Sequence, residues 1–180
     1  NNALNTTSPR WFTPGNGVDD YTSYCTYDKA RDRFWVVGDS LYYFRASTFT
    51  YLSYVYFPYT VRFNGIAIDS AQNIWISDAE NNYVYKVDPD LNIFYYGGLG
   101  SKYGLFNNIH DIAIDDQDNI YVADTGNNRI QKFDRHFNFL TSFDLIGQGG
   151  NKLEGPRGLK YYNGLLYVGC NRAIVEIPVR

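Results

Sequence analysis

The chain contains two histidines, His110 and His136, and two cysteines, Cys25 and Cys170, so its means for metal or nucleophilic chemistry are few. A catalytic zinc takes three protein ligands and leaves one position open. One histidine beside the channel-type strand described below cannot supply that set, and no metal or cofactor is expected. His110 is read as a hydrogen-bonding group and His136, in a turn, as solvent-facing. Asp115-Asp116-Gln117-Asp118-Asn119 gathers carboxylates as a Ca²⁺ loop does. An EF-hand loop starting at Asp115 would need Gly where Ile120 stands and Glu where Gly126 stands, so a polar hairpin turn accounts for it better. Asp78 and Asp124 recur at matching places and suggest a structural role, Asp124 pairing with Arg129 or capping a loop. No G-x-S-x-G is present, and neither histidine belongs to a triad. The glycine-rich Gly97-Gly98-Leu99-Gly100 and Gly147-Gln148-Gly149-Gly150 precede no helix and so offer no phosphate cradle.

Those residues must be positioned by something, and composition limits what. Apolar residues make up 44% of 180, enough for a core and too many for a disordered chain. No apolar run approaches the roughly 20 residues needed to cross a bilayer. Eighteen Tyr and sixteen Gly favour strands and turns. A Tyr-, Asn-, Gly- and Thr-rich chain without Met resembles secreted proteins, and Asn5-Thr6-Thr7 is an N-glycosylation sequon that makes Asn5 a candidate acceptor. Charge is uneven: 8 basic against 15 acidic residues precede Arg129, and 8 against 4 follow from it. Acids are interleaved throughout, so a nucleic-acid partner is not expected.

Laying the chain against itself reveals a repeat. Ile74-Trp75-Ile76-Ser77-Asp78 aligns with Ile120-Tyr121-Val122-Ala123-Asp124, and Ile66-Ala67-Ile68-Asp69 with Ile112-Ala113-Ile114-Asp115, at an offset of 46. A later copy carries Gly158 to Tyr162 and Leu166 to Cys170, and a weak first copy carries Tyr24 to Tyr27 and Phe34 to Val37. Each unit reads as a β-branched inner strand, a polar turn, two alternating strands and an aromatic fourth strand. No sustained helical period appears. A sheet this small must stack on its neighbours, and radial stacking gives an all-β propeller of about four four-stranded blades. The divisions expected are an irregular arm at 1–20 and blades at 21–60, 61–104, 105–152 and 153–180, the last lacking a strand.

Residues 105–134 resemble the NHL repeat at nearly every position, through Asp111-Ile112-Ala113-Ile114-Asp115 and Asn119-Ile120-Tyr121-Val122-Ala123-Asp124-Thr125-Gly126-Asn127-Asn128-Arg129-Ile130-Gln131-Lys132-Phe133-Asp134. Residues 64–98 match well, with Ala79-Glu80-Asn81-Asn82-Tyr83 in place of the favoured turn. The resemblance implies six blades in the usual case, so a small closed ring, an open arc and an excerpt of a six-bladed propeller all fit four. It also leaves Cys25 and Cys170 two alternatives: a disulfide if the first and last blades are neighbours, and free thiols in a larger ring.

Known NHL-like proteins include a zinc-dependent amidating lyase and RNA-binding propellers, which set the alternatives. The residues favour a non-enzymatic module for protein or glycan binding or for self-assembly, outside the cell. Its candidate binding face comprises Lys102, Tyr103, Phe106, His110, Arg129, Lys152 and Arg157, and identical subunits meeting through the last blade are a further expected partner.

Overall fold

The computed structural model describes residues 24–145 and 154–179. Asn5, Lys152 and the arm at 1–20 lie outside them. Four antiparallel sheets follow one another along the chain. The first comprises β1 (Tyr24–Asp28), β2 (Arg33–Val37), β3 (Leu41–Arg45) and β4 (Thr50–Val55). The second comprises β5 (Phe63–Ile68), β6 (Ile74–Asp78), β7 (Tyr83–Val87) and β8 (Ile93–Gly97). The third comprises β9 (Ile112–Ile114), β10 (Ile120–Asp124), β11 (Arg129–Phe133) and β12 (Phe139–Asp144). The last holds β13 (Gly158–Tyr162), β14 (Leu165–Gly169) and β15 (Ile174–Pro178). Strand order within each sheet is sequential, and a 3₁₀ turn at Thr125–Asn127 is the only helical element among the described residues.

The turns are built by one local device used four times. In Asp69–Asn73, Asp88–Asn92, Asp115–Asn119 and Asp134–Asn138, one aspartate oxygen accepts the backbone N–H of the asparagine four residues on, and the other accepts its side-chain amide. The residue before each asparagine, Gln72, Leu91, Asp118 or Phe137, has a left-handed backbone with φ between 62° and 68°. An Asp–Asn bracket of this kind satisfies the turn's backbone from within, which is why short aspartate and asparagine side chains recur there.

Stacking then buries the sheets. The innermost strands pack in series, β1 on β5, β5 on β9 and β9 on β13, and one apolar cluster fills each seam. Trp35, Val37 and Leu41 meet Ile74, Ile76 and Val87; Trp75 and Val84 meet Ile112, Ile120 and Phe133; Tyr121, Ala123 and Ile130 meet Leu159, Leu166 and Val168. β6 and β10 are buried on both faces, whereas the outer strands β4 and β8 are largely exposed. The four innermost strands line a central cavity of about 320 Å³.

The offset of 46 holds for the second strands but not for every inner strand. Val122 pairs with Ile112, while Val168 pairs with Leu159, so β13 is displaced by one residue. The cause is the Asn163-Gly164 turn, with both residues at positive φ (50° and 81°), which is a residue shorter than the Asp–Asn bracket of the second and third sheets.

Candidate functional site

In each sheet the loop into the inner strand and the turn between the second and third strands emerge at the same end. That end therefore collects residues 56–62, 98–111 and 154–157 with the turns at 79–82, 125–128 and 170–173, and the sequence-predicted face lies there. Holding it together is Asp124, fully buried at the end of β10. Its carboxylate accepts the Asn107 backbone N–H (2.8 Å), the Asn127 amide (3.0 Å), Arg129 Nε (2.8 Å) and the Gln131 amide (2.9 Å). Asp78 occupies the matching place and accepts the backbone N–H groups of Arg62 (3.0 Å) and Glu80 (2.9 Å). Between sheets, Asn82 Oδ1 accepts the Asn108 N–H (2.5 Å) and Asn128 Oδ1 accepts the Gly155 N–H (2.8 Å). Both asparagines are left-handed, at φ 58° and 57°, a conformation that asparagine tolerates better than most residues.

Several residues of the predicted face are occupied otherwise. Phe106 is not exposed at all: it lies in the seam between the second and third sheets, 5.9 Å ring to ring from Phe133. A side chain at Gly97, which sits at φ +100°, would come within 2.6 Å of the Phe106 ring, so glycine is what lets the ring in. Arg129 is buried too, paired with Asp124 and donating to the carbonyls of Lys102 (2.9 Å) and Leu105 (3.2 Å). Neither is available to a ligand. Their aromatic and cationic character suggested a surface, but large rings and bidentate donors serve a seam equally well.

Lys102 and Tyr103 are exposed, with the Tyr103 ring 4.4 Å from Phe139 and 5.3 Å from the Arg129 guanidinium. Arg157 is exposed and His110 half-buried. His136 is exposed in the Asp134–Asn138 turn, at the opposite end. Cys25 and Cys170 are both free thiols, and the bridge considered between them is not formed. Cys25 lies on the channel wall, while burial pushes the Cys170 thiol up, away from a reactive thiolate.

The acids that could act chemically are mostly committed. Burial alone would raise Asp115, but bonds from the Asn119 amide and backbone, from Tyr121 and from Gln117 draw it below the usual carboxylate range. The Asp115-to-Asn119 run is therefore a turn device with Lys132 at 3.7 Å. Asp111 differs: burial pushes it up to about 6, against the pull of the Leu159 and Ile112 backbone N–H groups. Its Oδ2 accepts from Leu159 in the next sheet (2.8 Å), so it ties the third inner strand to the fourth. Among the described residues no group of three His, Cys, Asp or Glu side chains is arranged to hold a metal ion.

The family model described as NHL repeat matches residues 106–133. This stretch is an NHL repeat. The geometry explains the motif: Asp124, Asn127, Asn128, Arg129 and Gln131 of the NHL repeat are staples between its turn and the incoming loops. The three-dimensional fold is that of a β-propeller. It resembles a streptogramin B lyase structure (TM-score 0.65, 15% identity, 86% of this chain and 53% of that one). It also resembles a catalytically inactive virginiamycin B lyase from Staphylococcus aureus with quinupristin (TM-score 0.69, 16% identity, 98% and 61%). A protein of unknown function from Bacteroides caccae is similar as well (TM-score 0.60, 13% identity, 85% and 55%). At these identities the likeness concerns the fold, and the chain spans 53–61% of the length of these structures. No curated protein matches the sequence.

Sequence reasoning on the NHL repeat missed Gln131, which is fully buried and has both ends of its amide engaged, and it missed Arg62 and Asn64. Gln131 carried a signal, a polar residue at an inward position of a strand. Arg62 and Asn64 carried only their place before an inner strand, matching Asn108 and His110.

Proposed function

We propose that the chain is a non-enzymatic NHL-type propeller module, acting outside the cell, that binds a protein or glycan through its loop end. One observation carries this reading. Tyr56 (65% exposed), Tyr59 (70%), Leu99 (71%) and Tyr103 (63%) all stand in loops at that end. Large side chains left in water together mark an interaction surface, and tyrosine offers a flat apolar face with a polar tip, suited to sugar rings and protein surfaces alike. The commitment of Asp78, Asp115 and Asp124 to turns supports binding over catalysis. The secreted-type composition supports the location.

The test is a glycan array and a panel of purified extracellular proteins, each read with the parent chain and with Tyr59→Ala and Tyr103→Ala. A specific ligand should lose roughly tenfold or more in affinity, as expected when an aromatic anchor is truncated, with the unfolding midpoint unchanged. Since two structural neighbours are lyases, the competing reading is an enzyme. Stoichiometric zinc together with a turnover lost in His110→Ala would replace the binding reading.

A further inference from the structure

Two arginines and a histidine from three sheets gather at one end of the inner strands. Arg62 immediately precedes β5, His110 lies two residues before β9, and Arg157 immediately precedes β13. These inner strands pack side by side, so their starts lie at the same end of the stack. Burial, then Arg157 and then Arg62, hold the His110 imidazolium below the usual histidine range, so both arginines act on the same ring. Asn64 Nδ2 lies 3.4 Å from His110 Nδ1. An amide nitrogen can only donate, so Nδ1 accepts and Nε2 carries the hydrogen, a donor with no partner in this cluster.

Among the described residues neither arginine forms an ion pair. Arg62 spends Nη2 on Asn108 Oδ1 (3.1 Å) and keeps its other donors. Two acids stand close: Asp111, with both oxygens already on backbone N–H groups of Ile112 and Leu159, and Glu154, which shares a cleft with Arg157. Lys160, beyond Asp111, adds to the positive side.

We propose that this cluster is an oxyanion-binding site, in which Arg62, Arg157 and His110 Nε2–H receive a carboxylate or phosphate group of the ligand. The proposal rests on the binding reading above and names the chemical class of what is bound. Guanidinium groups suit both oxyanions because their forked donors match two oxygens at once, and the partly desolvated imidazole gains most from a neighbouring negative charge.

The test uses His136→Gln, which leaves His110 as the only histidine, and follows its ring proton signals against pH in NMR. Inorganic phosphate and acetate are added separately at constant ionic strength, with chloride as the control. The expected result is a saturable rise of the His110 titration midpoint by about one pH unit. Arg62→Gln and Arg157→Gln should each weaken the effect roughly tenfold. Both arginines are exposed, so these variants should unfold at the parent temperature. Phosphate or acetate acting alone identifies the class of group bound. An equal response to chloride, or none that saturates, overturns the proposal. If it fails while Tyr59→Ala and Tyr103→Ala still abolish ligand binding, the module reading stands and only the oxyanion assignment falls.

Discussion

The Asp124 carboxylate shows how much one buried charge can organise. It satisfies Arg129, Gln131, Asn127 and the Asn107 backbone together. Asp124→Ala would strand the Arg129 guanidinium in the interior, and breaking a buried pair by removing one partner costs about 3–5 kcal/mol. Urea unfolding of the variant should show that loss, with Asp124→Asn intermediate. Asp111 acts in the opposite sense. Its folded-state pKa of about 6 lies above the ordinary 3.8, so the native state favours the protonated form. The associated stability is present below about pH 4 and disappears as pH rises through 6, a change on the order of 3 kcal/mol. Asp111→Asn should flatten the stability profile across that window, whatever its effect on absolute stability, since it also weakens the tie to Leu159.

At the scale of the element, the loops are set by left-handed residues whose side chains work across seams. Asn82 supplies both the φ of 58° and the acceptor for the Asn108 N–H. Asn82→Gly keeps the backbone and loses the bond, so it should cost about 1 kcal/mol, whereas Asn82→Ala adds strain and should cost about 1–2 kcal/mol more. Thermal unfolding of the pair separates the two contributions. Phe137 shows the same economy at the other end. It takes φ 64° in a turn, and its ring stacks on Phe133 (4.2 Å) and Tyr96 (4.6 Å), filling the seam between the second and third sheets.

Across the whole molecule, protection should follow depth within the stack. β6, β10 and β11 are buried along their length, while β8 and β15 expose alternate residues or more. Amide hydrogen exchange should therefore be slowest in β10 and β11, where both faces meet neighbours, and fastest in β8 and β15. A stack of sheets held by nearest-neighbour seams should also lose protection gradually from its first and last sheets inwards. Uniform exchange across all four sheets would contradict this picture.

The sequence by itself determined the sheets and their stacking. Ile66-Ala67-Ile68 and Ile112-Ala113-Ile114 mark inner strands, although Ile66 to Ile68 are only half-buried because they line the cavity, and the Asp–Asn brackets at 69–73 and 115–119 mark turns whose bonds close within five residues. The NHL repeat was equally legible, because its stapling residues, Asp124 to Gln131, stand together in the chain even though their partners do not. Partners distant in sequence were a matter for tertiary structure. Phe106 has the composition of a surface residue, yet its burial depends on the seam, where it meets Phe133 and Gly97; Arg129, by contrast, faces Asp124 on the adjacent strand, a pairing the sequence already suggested. Arg62, His110 and Arg157 lie far apart in sequence, and only the packing of β5, β9 and β13 brings them to one end of the stack. Periodicity determines which face of a strand is covered, and the seams determine which charges remain free to meet a ligand.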